Sequence, residues 1–240
     1  MTIASPTAHP VQQPLLGILG GMGPLATVDF LGKLTRCLPA SCDQEHVPWV
    51  ALSQPGAPDR SRAVENGDDG PLPYLIQGAA YLAAQQVRLI AIPCSTSHCW
   101  FDRIQRASTV PILHIADAAS EALRRHATFS DGPIAVLATR GTVKNRIYED
   151  RIAAAGFRVM TLAETDQCTV DAVIRNVKSG ELDEARRDLQ LLQTALQQRG
   201  AAGLILGCTE LPLVNAGGLP AVDVTQSLAE AALRRLGYQT

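Results

Sequence analysis

The chain has 240 residues, of which 46 % are hydrophobic and 18 % charged, and its formal net charge is −2. This composition predicts a packed core and argues against disorder. The balanced charge, without a basic run, argues against a nucleic-acid or membrane partner, and no apolar stretch reaches the roughly 18 residues of a spanning helix. The opening residues contain no apolar signal core, which predicts a flexible tail over 1–13 and a cytoplasmic protein.

Strand-like and helix-like segments alternate along the first half of the chain. LLGILGG (15–21) is an apolar run that ends in glycines, which predicts a buried strand and a tight loop. PLATVDFLGKLTRCL (24–38) has helical spacing and begins with Pro24, a residue favoured in a first turn. A segment rich in Pro, Gly and Asp (54–73) predicts an active-site flap. The other predictions for this half are strands at 47–53, 87–94 and 111–115 and helices at 74–86 and 98–108.

The same order returns in the second half. Predicted strands lie at 133–139, 157–163, 201–208 and 220–224, and predicted helices at 116–127, 144–156, 171–180, 182–200 and 225–237. This alternation predicts an α/β fold with parallel sheets covered by helices on both faces. Leu137 lies 118 residues after Leu19, and Cys208 lies 114 residues after Cys94. These similar offsets predict a duplicated α/β unit.

Two cysteines follow apolar strands at corresponding places in the two halves, Cys94 in IAIPCSTSHCW and Cys208 in LILGCTELPLV. Ligands of parallel sheets bind beyond the carboxyl ends of strands, so both thiols are expected in one cleft. There one thiol can act as base and the other as acid. Alternatively, Cys94 is a nucleophile, or the thiols are inert and buried. His98 either orients or deprotonates Cys94, or it bonds the backbone of its own helix.

The loop GMGPLA (21–26) has three interpretations. It resembles a dinucleotide-binding fingerprint, but Asp43 precedes the second strand instead of ending it. It is also suited to holding a carboxylate at a helix N-terminus, or to forming a tight turn.

Other polar groups carry weaker signals. Cys37 and Cys42, with His46 nearby, have no second ligand cluster, so we expect no metal site. Asp43, Glu45 and His46 are interpreted as a loop-stabilising set. Taken alone, charged side chains such as those in GAPDRSR and NVKSGEL are more typical of a solvated surface than of a binding site.

Several motifs together resemble the aspartate/glutamate racemase family. They are LLGILGGMGPLATVDF, DQEH, APDR with the later GPLPYL, PC-x-T-x-H, ATRGT and GCTELPL, in order from residue 16 to the closing helix. The resemblance implies two pseudo-symmetric doubly wound parallel-sheet domains with the active site in the cleft between them. It also implies an amino-acid substrate, no cofactor and a homodimer. The expected domains are 14–115 with 223–240, and 116–222.

The same resemblance implies roles for individual residues. Cys94 and Cys208 would be the catalytic acid and base. Arg60 and Lys178 would bind the distal carboxylate of the substrate, and Gln54 would line the cleft. The residues implied to bind the backbone carboxylate and amine of the substrate are Met22, Gly23, Thr96, Thr139, Thr142 and Thr209.

One position departs from the family pattern. The usual PCNTAH is PCSTSH here, so Ser95 replaces a substrate-contacting asparagine and lacks its amide donors. The expected reaction is the interconversion of L- and D-aspartate, ahead of glutamate. The alternatives are a decarboxylase or isomerase on the same scaffold, and a dinucleotide- or amino-acid-binding protein without racemase turnover.

Overall fold

Two all-parallel sheets form the framework of the protein, as the computed structural model shows for residues 13–125, 129 and 132–239. The predicted tail, apart from Gln13, lies outside the described residues. The first sheet contains β1 (Leu16–Gly20), β2 (Trp49–Ser53) and β3 (Leu89–Ala91). The second contains β4 (Ile134–Leu137), β5 (Val159–Met160), β6 (Gly203–Leu206) and β7 (Ala221–Asp223).

Ten α-helices connect and cover these strands in the part of the chain that the structure describes. In the first half they are α1 (Pro24–Arg36), α2 (Arg60–Asn66), α3 (Leu72–Ala84), α4 (Phe101–Ala107) and α5 (Ile115–Arg125). In the second half they are α6 (Arg140–Lys144), α7 (Glu149–Ala154), α8 (Glu164–Ser179), α9 (Leu182–Gln198) and α10 (Val224–Arg235). None of the described helices is long and apolar enough to span a lipid bilayer.

The two sheets repeat one topology. Their strand orders are β2-β1-β3 and β5-β4-β6-β7, so β1, β2 and β3 correspond to β4, β5 and β6. The registers agree as well, because Leu16 pairs with Leu89 and Ile134 pairs with Gly203. These pairs reproduce the offsets of 118 and 114 residues between the halves. The predicted α/β fold with duplicated parallel sheets is confirmed.

The fourth strand position differs between the sheets. The strand predicted over 111–115 is reduced to a single parallel bridge between Ile112 and Ile90, at the place that β7 takes in the second sheet. The prediction of a strand there was wrong because Ile115 already begins α5.

The largest apolar core joins the two halves. It contains Leu16 of β1, Ile134 of β4 and Phe30 of α1, all fully buried. Burial of apolar surface, at about 25 cal/mol per Å², therefore stabilises the two sheets together. The domain boundaries drawn from the sequence stay a prediction.

The segment predicted as a flap contains a helix, which corrects the sequence interpretation. Asp59 caps α2, because its carboxylate accepts a hydrogen bond of 2.9 Å from the backbone N–H of Arg62. Gly67 ends the helix in the left-handed conformation, with φ of 70°. The Asp and Gly that suggested a loop are therefore the capping residues of a short helix.

The ATRGT segment, between the predicted strand at 133–139 and the predicted helix at 144–156, begins a helix of its own. Thr139 is the N-cap of α6, and its hydroxyl accepts from the backbone N–H of Thr142. The single helix predicted over 144–156 is broken, because Arg146 has φ of 51° and α7 begins only at Glu149.

Candidate active site

The two cysteines occupy equivalent positions beyond the carboxyl ends of two strands. Cys94 follows β3 and precedes a 3-10 helix, Thr96–Trp100. Cys208 follows β6 and precedes another, Leu211–Val214. Both residues are 6 % exposed. The strands of the two sheets thus present the two thiols to one region, as the duplicated sequence predicts.

The two thiols line one narrow cavity, which we name the two-cysteine cavity. Its volume is about 20 Å³. The lining residues are Met22, Asp59, Arg60, Ser61, Cys94, Ser95, Thr96, Thr139, Lys178, Cys208, Thr209 and Glu210.

Three residues predicted for the site are not part of this lining. Thr142 is fully buried and contacts the cavity through Thr96. Gly23 lies against Glu210, since a Cβ added to this glycine would be 2.8 Å from Oε1 of the glutamate. Gln54 is directed elsewhere, and its amide donates a 3.4 Å hydrogen bond to the Tyr74 carbonyl.

Three threonine hydroxyls from the two halves form a cluster at the cavity. Oγ1 of Thr96 is 2.9 Å from Oγ1 of both Thr139 and Thr142, and these last two are 3.1 Å apart. Each hydroxyl is both donor and acceptor. The cluster therefore offers adjustable donors to a carboxylate.

Glu210 is the closest charged partner of Cys208. The thiol Sγ donates to Oε2 of Glu210 over 2.9 Å, and the Thr209 hydroxyl is 3.4 Å from the same oxygen. Burial, together with the negative charge and hydrogen bond of Glu210, raises the pKa of the Cys208 thiol well above its usual value. Cys208 is consequently a thiol at neutral pH.

His98 holds the backbone around Cys94 and does not face its sulfur. Nδ1 is 2.9 Å from the Cys94 carbonyl, and Nε2 is 3.2 Å from the backbone nitrogen of Ile115 and 3.3 Å from the Leu113 carbonyl. Burial lowers the pKa of His98 to about 4 and keeps the ring neutral. His98 therefore bonds backbone groups, and these lie outside its own helix.

Ser95 reaches across to the second half of the chain. Its hydroxyl is 2.7 Å from the hydroxyl of the fully buried Tyr148. Burial raises the pKa of Tyr148, which keeps the phenol protonated. The serine that departs from the family pattern is thus anchored to Tyr148.

Two cations reach the cavity from opposite halves. Arg60 begins α2, and its Nη1 donates to the carbonyls of Ala57 and Pro58 at 3.0 and 2.9 Å. Its Nε is buried and has no hydrogen-bond partner within the described part of the chain. Lys178 lies in the last turn of α8. The two residues are thus brought to one cavity.

A family model described as Asp/Glu/Hydantoin racemase matches residues 19–232, nearly the whole described chain. The chain belongs to this family. It is an enzyme of the isomerase class.

Similar proteins agree with this membership. The broad specificity amino-acid racemase RacX of Bacillus subtilis is 26 % identical over 94 % of this chain and 100 % of its own length. The structure of Picrophilus torridus aspartate racemase aligns with a TM-score of 0.83 and 28 % identity, over 94 % of this chain and 95 % of the other. Glutamate racemase from Francisella tularensis subsp. tularensis SCHU S4, solved with D-glutamate, shares the fold at 14 % identity and a TM-score of 0.68, with coverage of 94 % and 82 %.

Three residues of this racemase-family cavity were not anticipated from the sequence, namely Asp59, Ser61 and Glu210. Asp59 and Ser61 flank Arg60 at the start of α2, in a segment for which the sequence predicts a flap. A signal for Glu210 was present, because it follows Cys208 at the distance at which Thr96 follows Cys94.

A larger cavity of about 620 Å³ lies beside α6, β5 and α8 of the same protein and contains neither thiol. Its Arg140 is bound by Glu164 and Asp171, at 2.6 and 2.7 Å. Across residues 13–125, 129 and 132–239, no group of three or more His, Cys, Asp or Glu side chains is placed to hold a metal ion.

Proposed function

We propose that this protein interconverts the L and D forms of a free acidic amino acid, aspartate ahead of glutamate, by two-base chemistry at Cα. The observation that carries the proposal is that Cys94 and Cys208 line one narrow cavity with Arg60 and Lys178. Two thiols supply a base and an acid, and the two cations match an acidic side chain.

The proton transfers follow from the environment of each thiol. One cysteine, as thiolate, removes the Cα proton, so an S–H bond forms and the electron pair of the C–H bond passes into the carboxylate. The other thiol protonates Cα from the opposite face. Since Cys208 donates a hydrogen bond to Glu210 as a thiol, it is the acid in one direction of the reaction, and the two cysteines exchange roles in the reverse direction.

The carboxylate at the reacting carbon must be stabilised as it becomes enediolate-like. Thr96, Thr139 and Thr209 line the cavity, and in this proposal their hydroxyls donate to this carboxylate. Such donors stabilise developing charge strongly in a site that excludes water. The residues assigned here to the backbone and distal groups of the substrate, and the homodimer that the family resemblance implies, are part of this proposal.

The test is racemisation of L-aspartate and L-glutamate by four variants. Cys94→Ala and Cys208→Ala are expected to lose at least 1,000-fold in rate, because each removes one proton-transfer group. Cys42→Ala and Cys168→Ala are matched controls, since both thiols are exposed and off the cavity. A wild-type rate in either cavity variant would refute the two-base scheme.

Broad specificity is the second candidate, favoured by the full-length similarity to RacX. A panel of L-amino acids decides between the two. If Arg60 and Lys178 select the side chain, acidic amino acids are racemised at least tenfold faster than neutral ones, and Arg60→Met narrows that ratio. Equal rates across the panel would establish the broad-specificity function instead.

A further inference from the structure

Glu210 is a buried carboxylate in the two-cysteine cavity with one oxygen unused. The residue is 3 % exposed. Its Oε2 receives the Cys208 thiol at 2.9 Å and lies near the Thr209 hydroxyl. Its Oε1 is buried and has no hydrogen-bond donor among the residues that the structure describes. A buried carboxylate oxygen without a donor is unfavourable, so this oxygen calls for a donor from outside the chain.

Gly23 lies directly against Oε1, because a Cβ at this position would be 2.8 Å from that oxygen. Glu210 is also part of the lining of the two-cysteine cavity. Gly23 is also the N-cap of α1. The positive end of that helix therefore lies beside the Glu210 carboxylate.

A second group without a hydrogen-bond partner among the described residues lines the same cavity, and it is a cationic donor where Glu210 is an anionic acceptor. Nε of Arg60 is a buried donor without a hydrogen-bond acceptor in the described ranges. One cavity therefore holds an unpaired cationic donor and an unpaired anionic acceptor. An amino acid carries the complement of both, with carboxylates for Arg60 and an ammonium with three N–H donors for Glu210.

We propose that Glu210 binds the α-ammonium of the substrate through Oε1 while its Oε2 holds the Cys208 thiol. This inference rests on the proposed amino-acid racemase function and specifies its substrate as one with a free, charged α-amine. The same carboxylate thereby fixes Cα relative to the sulfur of Cys208. Glu210 is a substrate-binding residue that also positions the acid.

A carboxylate that binds an ammonium group discriminates between substrate classes. The description of the family names hydantoin as well as aspartate and glutamate. A hydantoin ring offers neutral N–H groups, and an amine-free dicarboxylate offers no donor to Glu210 and brings a like charge close to it. Charged donors form the stronger hydrogen bonds to a carboxylate. Glu210 therefore selects a free amino acid over both.

The experiment measures the affinities of two ligands for each of two proteins, so that the effect of the amine and the effect of the substitution can be compared. Calorimetric titration compares L-aspartate with succinate, which differs only by lacking the amine, on the wild type and on Glu210→Gln. L-Glutamate and glutarate form a second pair. Racemisation of a free amino acid is thermoneutral, so turnover adds no heat. Glu149→Gln is the matched control, because Glu149 is also buried with an unpaired oxygen but lies outside the cavity.

The wild type is expected to bind the amino acid at least tenfold more tightly than its amine-free partner. Glu210→Gln should weaken binding of the amino acid at least tenfold, whereas binding of the amine-free ligand should not weaken, because the variant removes a like charge from its surroundings. Equal weakening of both ligands would indicate a structural role and overturn the inference. Equal wild-type affinity for both ligands would overturn it as well, independently of how the variant folds.

The two proposals fail differently. If the wild type racemises aspartate or glutamate but Glu210→Gln does not selectively lose affinity for the amino acid, the proposed function stands and the role of Glu210 is refuted. If Glu210→Gln selectively loses affinity for the amino acid but the wild type racemises neither amino acid, the role of Glu210 stands and the proposed function is refuted.

Discussion

The thiol of Cys208 donates a hydrogen bond of 2.9 Å to the carboxylate of Glu210. The two residues are buried at the same cavity, and the negative charge of one opposes ionisation of the other. Cys94 has its carbonyl, not its sulfur, bound to a histidine. The duplicated halves thus place two cysteines equivalently and surround them differently.

Glu210→Gln is predicted to lower the pKa of Cys208, because it removes the carboxylate charge that disfavours the thiolate. The measurement is the rate of Cys208 alkylation by iodoacetamide against pH, followed by peptide mass spectrometry. The alkaline limb of the profile should move to lower pH in the variant. The exposed Cys168 serves as internal control, and a Cys208 profile that does not move would show that Glu210 leaves the thiol unaffected.

Gly141→Ala is predicted to separate the two helices that carry Arg60 and the threonine cluster. The backbone N–H of Gly141 donates to Oγ of Ser61 at 3.0 Å, and an added Cβ would lie 2.9 Å from the Cα of Ser61. Overpacking of this kind costs about 1–3 kcal/mol, and kcat/KM should fall at least tenfold as α2 moves. Urea unfolding and racemisation rates check both effects. Gly56→Ala is the control, because a Cβ there meets no atom within 4 Å; equal behaviour of the two variants would contradict the prediction.

Ser95→Ala and Tyr148→Phe are predicted to be coupled. Their hydroxyls are 2.7 Å apart and buried, so either single change leaves the other hydroxyl without this partner. Each should lower the free energy of unfolding by about 1–2 kcal/mol, and the double variant should lose less than the sum. Chemical denaturation of the four proteins gives the coupling energy. Strict additivity would mean that this hydrogen bond contributes nothing to stability.

Much of the framework was predictable from local sequence. Apolar runs located β1, β4 and β6, because buried parallel strands need little beyond apolar residues and glycine ends. The helix α2 was missed because its capping residues, Asp59 and Gly67, are also common in turns. Whether a capped segment becomes a helix depended on packing against α6, which local sequence does not contain.

The candidate site, like the fold, was predictable from the sequence only in part. The cysteines were found because they repeat at matching places in the two halves. Lys178 follows Arg60 by 118 residues, the offset of the first strands, and this relationship would have strengthened their assignment. The unpaired oxygen of Glu210 was beyond prediction, because it is defined by what surrounds it in space.

The stability of the protein is predicted to decrease as the pH falls from about 6.5 toward about 4. Burial lowers the pKa of His98 to about 4, whereas an unfolded histidine has a pKa of about 6.5. In this window the unfolded chain binds a proton that the folded protein does not, so the free energy of unfolding drops with pH, by up to about 3 kcal/mol from this group. Urea unfolding at several pH values checks it. In His98→Gln the free energy of unfolding should change less steeply with pH than in the wild type. An identical pH dependence would exclude His98 as the cause of the loss of stability.

Exchange of the Cα proton of a free amino acid by Cys94 and Cys208, acting from opposite faces, can be followed directly. The measurement is proton NMR of L-aspartate and L-glutamate incubated with the protein in D₂O. The two-base mechanism predicts loss of the Cα proton signal together with formation of deuterated D-amino acid, and loss of racemisation when either cysteine is replaced by alanine. Racemic product that retains its Cα proton would contradict it.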